Sequence, residues 1–271
     1  MGLDDKTKKE IRLLLEKTVK EKLDKYNPET QYMPFHHRLL GRDRYAAFSL
    51  IHSMNTTFGI SVWEPVAVIL AKNAGHVARK QDDLFGEIDD KTNQLINNLL
   101  EKLRAGTLSA DKRKEIELIR NSIASGTEKK DTDSRVDLYV EIDGQENYID
   151  ITGPKPNMKE FVALKRKLLK WTALRLSVKK NADVVTRLAM PYNPYHPKPY
   201  ERWTSRGLYD LKAGEVLVGA EFWNTISQKK SNDDSSQKVD IYEDLLQVFQ
   251  EVGESLRNTV DSKFSELLKL E

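Results

Sequence analysis

Asp137-Leu-Tyr-Val-Glu-Ile142, Asp143-Gly144, and then Tyr148-Ile-Asp150-Ile-Thr152-Gly-Pro-Lys155-Pro-Asn157 decide the fold. Val136, Leu138, Val140 and Ile142 alternate with polar neighbours, the period of a strand that presents one apolar face. Asp143-Gly144 is a two-residue hairpin signal, because both positions accept positive φ. Tyr148 to Thr152 is therefore the return strand, stopped by Pro154 and Pro156. A helix over 158–178 follows, with Phe161, Leu164, Leu168 and Trp171 on one stripe. Residues 183–190 give a third strand. Strand, strand, helix, strand is the order of a mixed sheet flanked by helices, an α/β fold.

Upstream the pattern is helical. Ile11, Leu14, Leu15, Val19 and Leu23 mark a helix over 4–25, and Asn27-Pro28 ends it. Residues 26–44 read as irregular, and a helix covers 43–53. Ser61-Val-Trp-Glu64 has the form of a capping box opening another helix. Helices at 89–104 and 110–124 complete a mainly helical part, 1–130. The sheet core spans 131–225 and includes a short edge strand at Val216 to Val218. Residues 226–271 hold a polar loop, expected to be mobile, and one long C-terminal helix over 240–268. No repeat or linker divides the chain, so a single domain over 1–271 is expected.

The 271 residues contain no cysteine, which excludes disulfides, cysteine-ligated zinc and thiol catalysis and fits a reducing cytoplasm. No apolar run approaches the ~20 residues of a membrane span. The N-terminus is charged and helical in pattern, unlike a signal peptide. P-loop, G-x-S-x-G and G-x-G-x-x-G motifs are absent, and the five histidines show no metal-binding spacing. Net charge is only +2. Its distribution is uneven: between Lys155 and Lys180, nine basic residues stand against the single acid Glu160.

Asp137 interrupts a β-forming run, where aspartate is disfavoured. Asp150 faces away from Ile149 and Ile151 by alternation. Two carboxylates on neighbouring strands, with the Ile151 carbonyl, make an oxygen donor set of the kind Mg²⁺ prefers. Each acid alone is equally a solvent-facing strand residue. The helix behind them presents Lys159, Arg166 and Lys170 on one face, with Lys165 and the nearby Arg135 as further phosphate contacts. Arg135 is equally placed to pair with Asp133. A charge run is also, more simply, a solvated helix face. The proline-aromatic segment Pro191-Tyr-Asn-Pro-Tyr-His-Pro-Lys-Pro-Tyr-Glu-Arg-Trp203 offers His196, Lys198, Arg202 and the following Arg206 as base-edge readers. Alternatively, it is a rigid loop packing Tyr192 and Trp203 on the core.

Three segments resemble type II restriction endonucleases of the TdeIII-like family: Asn55 to Glu64, Tyr148 to Asn157, and Pro191 to Trp203. Asp137…Asp150-x-Thr152 resembles the PD-(D/E)xK nuclease motif. The resemblance implies a restriction-endonuclease-like fold and Mg²⁺-dependent cleavage of double-stranded DNA at a short palindrome, G/C-rich and of the GGNCC kind. It also implies a homodimer and a DNA methyltransferase encoded separately. Asp137 and Asp150 match the acidic positions. Thr152 stands where the motif has lysine and cannot carry its charge. Lys155, beyond Gly153-Pro154, is the expected replacement; the alternative is a DNA-binding protein on a degenerate, catalytically weak nuclease fold. Glu64 matches a glutamate that such nucleases bring to the metal, and the capping box explains the same residue locally.

Overall fold

In a computed structural model, residues 2–27, 33–202, 205, 207–229 and 240–269 are described. They fall into two compact units: 1–69 with 240–271, and 70–239.

The first unit is helical. α1 (Asp5–Lys25) starts at Asp4, whose carboxylate accepts the Thr7 N–H at 2.8 Å. α2 (Pro34–Leu40) occupies part of the stretch expected to be irregular, with proline in its first turn. α3 (Arg42–Phe58) runs through a π-helical turn at Gly59–Trp63 into α4 (Glu64–Asn73), which carries the chain into the second unit. The capping-box expectation at Ser61 is therefore corrected: no helix begins there, so no free N–H groups need a cap. This 32-residue helical stretch is long and apolar enough by composition to cross a membrane. Core helices meet the same criterion. The C-terminal helix is not one helix but two, α9 (Tyr242–Ser255) and α10 (Arg257–Leu267). The break follows Ser255, whose hydroxyl donates to the Val252 carbonyl at 2.9 Å. Leu23, Tyr26, Ala46, Leu50 and Leu267 form this unit's core, and Trp63 stacks on Phe249.

The second unit is built on five strands in the order β1 (Val77–Phe85), β2 (Lys130–Ile142), β3 (Gln145–Ile151), β4 (Val184–Met190), β5 (Val216–Val218). β1–β2–β3 are antiparallel; β3–β4–β5 are parallel. Asp143 and Gly144 have φ of 48° and 81°, the left-handed pair that a tight hairpin needs. α7 (Met158–Val178) links β3 to β4, and its Asn157–Glu160 capping box fixes where it starts. α5 (Asp90–Ala105) and α6 (Lys112–Ser122) pack beside α7, and α8 (Ala220–Ser227) follows β5. β1 gives no alternating pattern because it is an edge strand that buries only Ala78 and Leu84, with Val77, Arg79, Lys80 and Phe85 exposed. Where it ends, Gly86 lies so close to α7 that an added Cβ would fall 2.2 Å from the Leu174 carbonyl oxygen.

Lys112, Glu115, Lys165 and Glu215 meet inside this core. The Lys165 ammonium lies 2.6 Å from Glu115 and 2.7 Å from Glu215; Lys112 reaches Glu215 at 3.0 Å and Thr186 at 2.6 Å. Burial pushes the Glu215 carboxyl up, but the two lysines outweigh it and hold it below the usual range. For Glu115, burial wins and the carboxyl rises. Lys165, expected to touch phosphate, is thus corrected to a core residue: its side chain is 0% exposed.

Lys165→Met removes the cation that both glutamates share and should cost about 3–5 kcal/mol in urea unfolding. A loss below about 1 kcal/mol would show that the cluster is not holding the core. A second expectation concerns Glu146 on β3. Burial raises its carboxyl, but Arg175 at 2.6 and 2.8 Å and the Tyr148 hydroxyl hold it below its ordinary 4.5. A depressed carboxyl adds stability that is present above the unfolded value and lost as pH falls through the folded one. Glu146→Gln should therefore shallow the acid limb of the stability–pH curve below 4.5.

Candidate active site

β2 and β3 pair Leu138 with Ile149. Carried one step further, the same register sets Asp137 opposite Asp150. The Asp137 carboxylate accepts the Ile151 N–H at 2.8 Å, so it reaches across to the neighbouring strand. Asp150 is only 4% exposed and lies on the face covered by α7. One of its oxygens accepts a hydrogen bond from the Lys167 ammonium, which also sits 4.8 Å from the Trp171 ring centre. Thr152 continues the parallel pairing, its N–H donating to the Ala189 carbonyl at 2.9 Å. Donors at this end of the hairpin are all oxygen and include two carboxylates. A cationic group already rests on one of them. That chemistry fits Mg²⁺, which binds through one or two carboxylates and completes its shell with water and phosphate oxygens. No cluster of three metal-ligating side chains exists among the described residues.

Lys155 is exposed, and its ammonium lies 5.8 Å from the Tyr195 ring centre. The proline-aromatic loop therefore flanks the acidic end. Tyr200 bonds the Pro154 carbonyl at 2.9 Å, and Arg202 bonds the Tyr195 hydroxyl at 3.2 Å. His196 and Lys198 are exposed on the loop. Tyr192 is 44% exposed, so Tyr195 and Tyr200 anchor the loop in place of the expected Tyr192. Arg206 and Trp203 lie outside the described residues.

On α7, Lys159 is exposed. Arg166 bonds Asn97, and Lys170 lies 3.1 Å from Asp133 and 3.8 Å from Asp131. Arg135 pairs with Asp83 at 2.8 Å rather than with Asp133. Lys165 points into the core cluster. Glu64 belongs to the other unit, begins α4 and is 3% exposed.

Sequence reasoning missed Lys167 as a site residue. Its signal was present: it lies three residues after Leu164 and four before Trp171, on the apolar stripe itself. A lysine there needs a buried or half-buried anion, and Asp150 is that anion.

Residues 3–253 match the family model of the type II restriction endonuclease HinfI. The type II restriction enzyme HgiCII of Herpetosiphon aurantiacus is 26% identical over 252 residues, 85% of this chain and 81% of the relative. HgiEI of the same organism is 25% identical over 228 residues, 81% of this chain and 77% of the relative. With a match over nearly its whole length, the chain belongs to the HinfI family of type II restriction endonucleases, enzymes that cut double-stranded DNA at specific sites.

Proposed function

We propose that the chain hydrolyses phosphodiester bonds of double-stranded DNA at a short palindrome, with Mg²⁺ held by Asp137 and Asp150. The observation that carries this is the Asp137 carboxylate on the Ile151 N–H, which brings both acids to one end of the hairpin. Ile151 would add its carbonyl. Mg²⁺ bound there supplies an activated water and neutralises phosphate charge. The pairing of acids supports the PD-(D/E)xK reading, and the three segments quoted above support the TdeIII-like one. Glu64 is assigned to the metal by resemblance alone. A G/C-rich site of the GGNCC kind, a separately encoded methyltransferase and a cytoplasmic location complete the reading.

DNA contact falls to the exposed Lys159 on α7 and His196 and Lys198 on the loop, with the half-buried Arg202 beside them; Arg206 is assigned to DNA from the sequence alone. Arg135, Arg166 and Lys170 would exchange protein acceptors for phosphate. Each phosphate neutralised steepens the salt dependence by about 0.9 in log K per log unit of salt. Two-fold DNA calls for a two-fold pair of chains. The C-terminal helices bury Leu245, Val248, Val252 and Leu256, which suits packing within the chain. Phe35, Leu39, Phe48 and Ile51 on α2 and α3 are 85%, 82%, 61% and 52% exposed and suit a second copy.

Unmethylated DNA incubated with the protein and Mg²⁺ should give discrete fragments, and Asp150→Asn should give none while still binding DNA. Binding without fragments across several metals and salts would sink the enzymatic reading. Leu39→Glu should shift sedimentation toward the monomer; an unchanged oligomer would move the interface elsewhere.

A further inference from the structure

The geometry points to Lys167, not Lys155, as the lysine that serves the position occupied by Thr152. This rests on the reading of Asp137 and Asp150 as the metal pair. Thr152 has a hydroxyl and no charge. Lys155 is exposed beyond Gly153-Pro154, with its ammonium directed to the Tyr195 ring. The other cations of the basic run are committed or remote. Lys165 serves Glu115 and Glu215, Lys170 serves Asp131 and Asp133, and Arg175 and Lys179 serve Glu146. Arg166 is held by Asn97. The Lys167 ammonium rests on Asp150 itself.

Its environment suits a working ammonium. The side chain is 30% exposed, so its end is neither sealed in the core nor free in solvent. The Trp171 face steadies the cation at 4.8 Å. Hydrolysis forms a bond from the water oxygen to phosphorus as the P–O3′ bond breaks. The bonding pair leaves with O3′, which takes up a proton, and the water gives up one proton to solvent. The products are a 5′-phosphate and a 3′-hydroxyl. Negative charge grows on the phosphoryl and leaving oxygens, and a nearby ammonium donates to it. Lysine is a compact point charge on a flexible stem, so Lys167 can pass from Asp150 to a phosphate oxygen within a short reach.

The same placement makes the ammonium and a metal ion rivals for one carboxylate. A lysine that merely neutralises a buried aspartate would behave differently from one with both roles, and Lys167→Met in the full chain separates them. We expect single-turnover cleavage to fall about 10²–10³-fold, the scale of losing one charge-stabilising donor. The loss should exceed that of Lys155→Ala by at least about ten-fold. Calorimetric Ca²⁺ binding, without DNA, should tighten roughly three- to ten-fold, because a competing positive charge is gone. If Lys167→Met does not fold, Lys167→Gln keeps a hydrogen bond to Asp150 and is read the same way. Cleavage within about three-fold of the unaltered chain, or lost cleavage together with weaker Ca²⁺ binding, overturns the assignment. Cleavage that survives Asp150→Asn, or is absent from the unaltered chain, instead overturns the metal-pair reading and this inference with it.

Discussion

Two lysines and two glutamates share the interior of the sheet unit, and much else is positioned by them. Lys112 and Glu115 come from α6, Lys165 from α7 and Glu215 from the turn before β5. Two amino groups there face two carboxyl groups. Glu215 also accepts the Asp210 N–H at 2.9 Å, and Lys112 bonds Thr186 on β4. Four separate pieces of chain are thus tied at one point. An apolar cluster of the same volume could be as stable. Here the rotation of α7 points Lys165 at both glutamates.

Where the fold was legible, local chemistry explains why. Alternation over 136–142, the Asp143-Gly144 turn and the apolar stripe of 158–178 each determine their element without help from distant residues. β1 was not legible because an edge strand buries little and carries its charges outward. The helix start expected at Ser61 came from a local pattern overridden by continuous helical hydrogen bonding through a π turn. The break at Leu256 lies inside a continuous amphipathic pattern, so periodicity does not register it.

The site was legible in part. Asp137 and Asp150 were conspicuous as acids in β-forming runs. The partner of Asp150 was not, because strand and helix are joined by contacts that sequence distance hides. Composition treated 165, 166 and 167 as one basic patch. The structure gives three consecutive cations three surroundings: Lys165 in the core, Arg166 against Asn97, Lys167 on Asp150. Each step along a helix turns the side chain by about 100°, so neighbours in sequence are not neighbours in space.

That rotation makes the segment between Asp150 and Lys165 intolerant of changes in length. Pro154, Pro156 and the Asn157–Glu160 box fix the first turn of α7. A residue deleted after the box would swing every later side chain by about 100°. The core cluster would then lose its lysine at the same moment that Asp150 lost its own. Point substitutions can alter either partner alone, but an insertion or deletion alters both. The spacing of these residues is thus constrained together with their identities.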